Sequence, residues 1–148
     1  FLFSKANADA DGRIINQLLD EYVNKNSNAV VYASLGMVRY LSAIKHSAMV
    51  IGNSSSGLIE APSFGVPTVN IGDRQKGRII ADSVINCKPK SDQIEKAIFL
   101  AMSDEFRERA KKTINPYAGF NTSVNITDKI KEFLIDGKID LKKEFYDF

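Results

Sequence analysis

Five short runs in this 148-residue chain are apolar with almost no polar alternation, and helical patterns separate them. They are Phe1–Phe3, Ala29–Ala33 (AVVYA), Ala48–Ile51 (AMVI), Thr68–Ile71 (TVNI) and Val84–Cys87. A strand that meets protein on both faces needs no polar face, so such runs predict strands buried on both sides. Gly12–Asn24 and Val38–His46 place apolar residues at helical spacing instead. Another helix is expected to open at Ser54 or Ser55, where a serine can cap and Leu58 and Ile59 follow. Ser91–Met102, with Ser91 as its N-cap, and Thr122–Ile135 read as helices too. So does Asp104–Lys112, whose acids come first and bases last, matching the helix dipole. Strands alternating with helices predict parallel βαβ units, hence an open Rossmann-like α/β sheet with helices on both faces. Residues 1–135 are expected to form the domain, and 136–148 a C-terminal tail or helix.

Composition then narrows the function classes. Basic residues exceed acidic ones by only two, 20 against 18, and they are scattered, which argues against a nucleic-acid surface. No apolar run reaches the roughly 18–20 residues that cross a bilayer. Cys87 is the one cysteine, so no internal disulfide forms, as suits a reducing cytoplasm. No repeat or low-complexity segment interrupts the pattern. The opening FLFSKANADADGR has neither an initiator methionine nor a signal-peptide layout. Its first three residues look like a core strand, so the chain is expected to be part of a longer one.

The stretch IGNSSSGLIEAP, from Ile51 to Pro62, sits where such a fold places ligands: beyond a strand's carboxyl end, at a helix start. Gly52 and Gly57 have the glycine spacing of a P-loop, but Leu58 and Ile59 stand where its Lys and Ser/Thr belong. No cation is available there for a terminal phosphate, so nucleoside triphosphate chemistry fails. A hydrolase nucleophile elbow fails as well, because Ser54, Ser55 and Ser56 all lack flanking glycines on both sides. His46 precedes the serines and reads as a helix-end residue rather than a base. What remains is a set of backbone amides and hydroxyls able to hold a phosphate, or a plain capped turn with no ligand.

Two further residues favour the ligand. Glu60 follows the turn and can accept from both hydroxyls of a vicinal diol such as ribose. Gly72-Asp73-Arg74 follows the next apolar run, so Arg74 lies at the adjacent strand end and can pair with a diphosphate. The alternative for Arg74 is a solvated surface cation beside Lys76 and Arg78. Other patterns fail on chemistry. Asn7, Asp9, Asp11 and Gly12 match the first half of a calcium loop, but Leu18 occupies the position of the closing glutamate. No CxxC or HExxH pattern offers a zinc site, and no metal or cofactor is expected. Asn53-Ser54-Ser55 is a formal glycosylation sequon that a cytoplasmic chain never presents to the enzyme.

As a whole, IGNSSSGLIEAPSFGVPTVNIGDRQKGR closely resembles the C-terminal half of the UDP-N-acetylglucosamine 2-epimerase family, above all its hydrolysing bacterial branch. NADADGRIIN and SLGMVRYLSAIKHS resemble the same branch, so the likeness spans most of residues 5–90. The resemblance implies a two-domain fold of the glycosyltransferase-B type, with UDP or a UDP-sugar held by this half. It implies that Ser54, Ser55 and Ser56, with amides towards Gly57, contact the diphosphate, and that Glu60 holds the ribose hydroxyls. Arg74 matches an arginine near the diphosphate, a stabiliser of the leaving group. Ser34, Leu35, Arg39 and Tyr40 match the segment near the uracil. The family's reaction eliminates UDP across C1–C2 of the sugar, then adds water at C1 to release N-acetylmannosamine for sialic acid synthesis. Its acid–base residues lie in the N-terminal half, so none is expected here, and this piece alone is expected to be inactive. Homo-oligomers are usual in the family.

Four other readings compete. One is a hydrolysing 2-epimerase for another nucleotide-linked amino sugar, of the legionaminic acid type. The non-hydrolysing epimerase lacks the GDRQKGR run. A glycosyltransferase donor domain shares the fold alone. A non-catalytic nucleotide-binding module would suit a protein complete at this length.

Overall fold

The computed structural model describes residues 1–6 and 12–135. The ligand positions of the calcium-loop pattern at Asn7, Asp9 and Asp11, and the tail 136–148, lie outside the described residues. The chain divides into two compact units, Phe1–Pro116 and Tyr117–Phe148. The helix Thr122–Ile135, expected within the nucleotide-binding domain, is thereby grouped with the chain that follows it.

In the first unit the order is β1 (Leu2–Ser4), α1 (Gly12–Lys25), β2 (Val30–Tyr32), α2 (Gly36–His46), β3 (Val50–Gly52) and α3 (Ser56–Ile59). A 3-10 turn (Ala61–Phe64), β4 (Thr68–Ile71), β5 (Val84–Cys87), α4 (Ser91–Met102) and α5 (Asp104–Lys111) follow. Every strand pair is parallel. β1 pairs with β2, Leu2 beside Val30. β4 lies between β3 and β5, with Thr68 beside both Val50 and Val84. The α/β class is as expected, but the strands form two ladders rather than one.

β4 alone of the described strands has neighbours on both edges and helices on both faces, so Thr68, Val69 and Asn70 are all buried. Val69 packs against Ala97 and Ala101 of α4, with Met49, Ile71 and Ile85 around them. On the opposite face Thr68 meets Gly57 of α3. Ile44, Ala61 and Val66 form a second cluster there with Tyr40, Leu41, Val50 and Phe64, seating α2 on the 3-10 turn. Leu58 of α3 is fully buried, which stabilises by about 1.5–3 kcal/mol. The expected burial of every strand on both faces fails elsewhere: Leu2, Tyr32 and Ile51 are 49%, 48% and 43% exposed. Those residues belong to strands paired along one edge only.

The helix after β3 is shorter than its sequence promises. Pro62 has no N–H to donate to the Leu58 carbonyl, so α3 ends after one turn. The chain tightens instead: Ser63 N–H donates to the Glu60 carbonyl at 3.1 Å and Gly65 N–H to that of Pro62 at 3.1 Å. Gly65 closes the turn at φ 64, a conformation glycine adopts without strain. Asn115 pins the pair from outside, its Nδ2 donating to the Ile59 carbonyl at 2.8 Å and to Ser63 Oγ at 2.6 Å.

Caps place the remaining helices. Lys90, rather than Ser91, is the cap of α4, because the Ile94 N–H bonds to the Lys90 carbonyl at 2.9 Å. Ser103 serves two helices at once. Its Oγ donates to the Leu100 carbonyl of α4 at 2.8 Å and accepts from Phe106 N–H of α5 at 3.3 Å.

Candidate functional site

β3 delivers the chain to Gly52, whose φ of 149 lies in a region that favours glycine. The chain then turns through Asn53, Ser54 and Ser55 into α3. Within this turn the amides divide into two groups. Ser56 N–H donates to Ser54 Oγ at 3.3 Å, and Gly57 N–H to the Ser54 carbonyl at 3.3 Å. The N–H groups of Asn53, Ser54 and Ser55 have no partner among the described residues. Three consecutive unpaired donors on an open turn, with two serine hydroxyls among them, form a surface suited to an anion. α3 is a single turn, so its dipole adds little and the turn amides carry the attraction.

Ser56 and Gly57, expected among the diphosphate contacts, both make bonds within the chain. The Gly57 amide is already bonded, and the residue serves packing: a Cβ there would lie 2.7 Å from Thr68 Cγ2. Thr68 Oγ1 also donates to the Gly57 carbonyl at 3.0 Å, locking α3 onto β4. Ser56 is 8% exposed and its Oγ accepts from the Tyr40 hydroxyl at 2.7 Å. Tyr40 therefore faces the base of the turn, and the contact orients α2 relative to it.

The first turn of α2 carries the rest of that segment. Ser34 Oγ accepts from Gly36 N–H at 3.2 Å, and Gly36 takes φ 63 to enter the helix. Leu35 is half-buried, while Ser34 and Arg39 are exposed. His46 ends α2 in solvent, as expected of a helix-end residue.

The loop after β4 meets the turn at one residue. Gln75, 5% exposed, donates from Nε2 to the Asn53 carbonyl at 2.8 Å. Arg74 is exposed, and its Nη1 reaches Asn53 Oδ1 at 3.5 Å, a weak contact that leaves the guanidinium free to engage a ligand. The two strand ends are thus joined through Asn53. In the sequence Asn53 stood out only as part of a formal glycosylation sequon and Gln75 not at all, and no local spacing marks a bond across 22 residues. Glu60 is half-buried at the end of α3, and its carboxylate has no hydrogen bond or ion pair among the described residues. Its two oxygens are therefore open to accept from a ligand's donors.

Concave ground lies on the far side of the same loop. A crevice of about 230 Å³ is lined by Asn70, Asp73, Gln75, Lys76 and Asn86 among others. Asn70 Nδ2 donates to Asn86 Oδ1 at 2.8 Å, while Asn70 Oδ1 and Gln75 Oε1 are buried without partners. Cys87 lies beside this ground at the end of β5, and burial pushes its thiol pKa up. Among the described residues no cluster could hold a metal ion, and no helix is long and apolar enough to cross a membrane.

The family model for UDP-N-acetylglucosamine 2-epimerase matches residues 1–131. Polysialic acid biosynthesis protein P7 of Escherichia coli is 39% identical over 99% of this chain and 37% of its own length. The GDP/UDP-N,N'-diacetylbacillosamine 2-epimerase (hydrolyzing) of Campylobacter jejuni is 43% identical over 72% of this chain and 28% of its own length. Among solved structures, the Staphylococcus aureus MnaA complex with UDP aligns over 99% of this chain and 47% of its own, at TM-score 0.59 and 15% identity. A crystal structure of UDP-N-acetylglucosamine 2-epimerase aligns with TM-score 0.61 at 15% identity, over 98% of this chain and 44% of that one. The chain therefore spans less than half the length of these relatives. With its parallel α/β fold and a family match across nearly all the described residues, the chain belongs to the UDP-N-acetylglucosamine 2-epimerase family.

Proposed function

We propose that this chain is the UDP-binding C-terminal half of a cytoplasmic, hydrolysing UDP-N-acetylglucosamine 2-epimerase of the glycosyltransferase-B type. The observation that carries the reading is the trio of unpaired amides at Asn53, Ser54 and Ser55, flanked by Arg74 on the neighbouring strand end. The amides and the Ser54 and Ser55 hydroxyls hold the diphosphate, and Arg74 neutralises it. Glu60 accepts from the ribose hydroxyls. Ser34, Leu35 and Arg39 stand on the uracil side, with Tyr40 fixing their helix through Ser56.

In the reaction, a base outside residues 1–148 takes the proton from C2 of the sugar. The C1–O bond breaks, and its electron pair leaves on the β-phosphate of UDP. Arg74 and the turn amides stabilise the charge that develops there. Water then supplies hydroxide to C1 and a proton to the opposite face of C2, giving N-acetylmannosamine and UDP. The chemistry is shared with the facing half, so residues 1–148 alone bind UDP without turning over.

A second reading keeps the mechanism and changes the sugar to a diacetamido hexose. It is favoured by the 43% identity to the Campylobacter jejuni GDP/UDP-N,N'-diacetylbacillosamine 2-epimerase (hydrolyzing). Turnover of each nucleotide sugar by the full-length protein, with the released sugar identified by NMR, separates the two. N-acetylmannosamine from UDP-N-acetylglucosamine supports the first reading. Release from the diacetamido substrate alone supports the second, and release from neither rejects both.

A further inference from the structure

Two buried amide oxygens carry an inference beyond the diphosphate turn. Asn70 and Gln75 are 4% and 5% exposed, and both line the crevice of about 230 Å³ beside the loop after β4. Asn70 Nδ2 donates to Asn86 Oδ1 at 2.8 Å, and Gln75 Nε2 to the Asn53 carbonyl at 2.8 Å. Each amide thereby uses its nitrogen within the chain, while Asn70 Oδ1 and Gln75 Oε1 have no partner among the described residues. The oxygen and nitrogen of a primary amide lie on opposite sides of its carbon. The bond to Asn53 therefore turns Gln75 Oε1 away from the phosphate turn. A buried acceptor left unmet costs free energy, which a donor seated in the crevice recovers.

The lining sets the chemistry of that donor. Asp73 and Lys76 bring one negative and one positive charge, so the crevice favours neither sign of ligand. Asn70, Gln75 and Asn86 are neutral amides, and Ile80 supplies an apolar wall. A hydroxyl both donates and accepts, so it can meet the amide oxygens, the Asp73 carboxylate and the Lys76 ammonium alike. A sugar ring offers several hydroxyls around an apolar C–H face. The volume is below the about 300–1,000 Å³ of pockets that take drug-sized ligands, which suits a single sugar ring and not a nucleotide.

We propose that this crevice is a second binding site, for one uncharged N-acetylated amino sugar, and that Gln75 couples it to the diphosphate turn. Hydroxyl or amide groups of the sugar donate to Asn70 Oδ1 and Gln75 Oε1, and the Lys76 ammonium donates to its oxygens. A hydrogen bond accepted at Oε1 polarises the Gln75 amide and strengthens the donation from Nε2 to the Asn53 carbonyl. The turn is then held more firmly and UDP binds better. By linkage the sugar binds better when UDP is present. The choice of sugar and the coupling rest on the function proposed above, whereas the site itself rests on the unmet oxygens and the lining.

Titration of the full-length protein with N-acetylmannosamine tests this, followed by NMR of isotope-labelled Asn and Gln side-chain amides, each signal identified by substitution. Saturable shifts are expected at Asn70, Gln75 and Asn86. Saturating UDP should tighten sugar binding by about fivefold or more. Lys76 is exposed, and Lys76→Ala should weaken sugar binding by about 10-fold while UDP affinity without sugar is unchanged. Sugar shifts at the crevice with no response to UDP at Asn53 would support the site and reject the function proposed above. The proposal is overturned by absence of shifts at Asn70 and Asn86, or by shifts there that Lys76→Ala does not weaken. UDP bound at the turn without effect on sugar affinity overturns the coupling.

Discussion

Gln75 donates from Nε2 to the Asn53 carbonyl at 2.8 Å, and through that bond the loop after β4 holds the turn after β3 in place. The bond is part-buried, with Gln75 buried and Asn53 exposed, so water replaces it only in part. Gln75→Ala leaves the Asn53 carbonyl without its donor, and is expected to destabilise by about 1–3 kcal/mol. UDP affinity falls too, because the free amides of the turn lose their fixed direction. Denaturant unfolding read alongside calorimetric titration checks both effects. Unchanged affinity in a folded variant would show that the turn does not need this tie.

Gly57 tests how tightly α3 must sit on β4. A Cβ at Gly57 would lie 2.7 Å from Thr68 Cγ2, so Gly57→Ala is expected to cost about 1–3 kcal/mol by overpacking. Thr68→Ser removes that methyl and keeps the hydroxyl that bonds the Gly57 carbonyl at 3.0 Å. The double variant should therefore recover part of the loss, a coupling that thermal unfolding of all four proteins measures directly.

Arg74 is expected to act on the diphosphate and not on the nucleoside. Arg74→Ala should weaken UDP binding by about 10–100-fold, the worth of hydrogen bonds to a charged group. Competition by uridine, which carries no phosphate, should be unchanged in the same assay. Arg74→Lys should recover only part, because an ammonium cannot make the bidentate contact.

Glu60 makes the complementary claim about the ribose. Glu60→Gln should lower UDP affinity by about 10-fold or more while leaving the fold intact, since the carboxylate has no partner within the described chain to lose. A 2′,3′-dideoxy analogue of UDP should bind wild type and variant alike. Equal losses for both nucleotides would remove Glu60 from the ribose.

Much of the architecture was legible in the sequence, because short apolar runs and helical periods report burial locally. β4 and β5 and the helix Thr122–Ile135 fall at the expected bounds. Burial of β1 to β3 was not legible, since it depends on what lies along each strand's edge rather than on the strand's own residues. α3 was cut short by Pro62, a residue visible in the sequence whose effect was not drawn. At the site, glycine spacing drew attention to the turn but did not tell which of its amides are bonded within it. Gly57 serves the approach of α3 to β4, and the unpaired amides lie earlier, at Asn53 to Ser55. The contact between Asn53 and Gln75 escaped notice because it exists only once two strand ends are brought together.

The most direct test of the account is a titration of residues 1–148 with UDP, and separately with GDP and CMP, followed by amide chemical shifts. The account predicts saturable shifts for UDP alone, concentrated at Asn53, Ser54 and Ser55 and near Arg74, and lost in Glu60→Ala. Shifts centred elsewhere, identical responses to all three nucleotides, or none at millimolar UDP would contradict it.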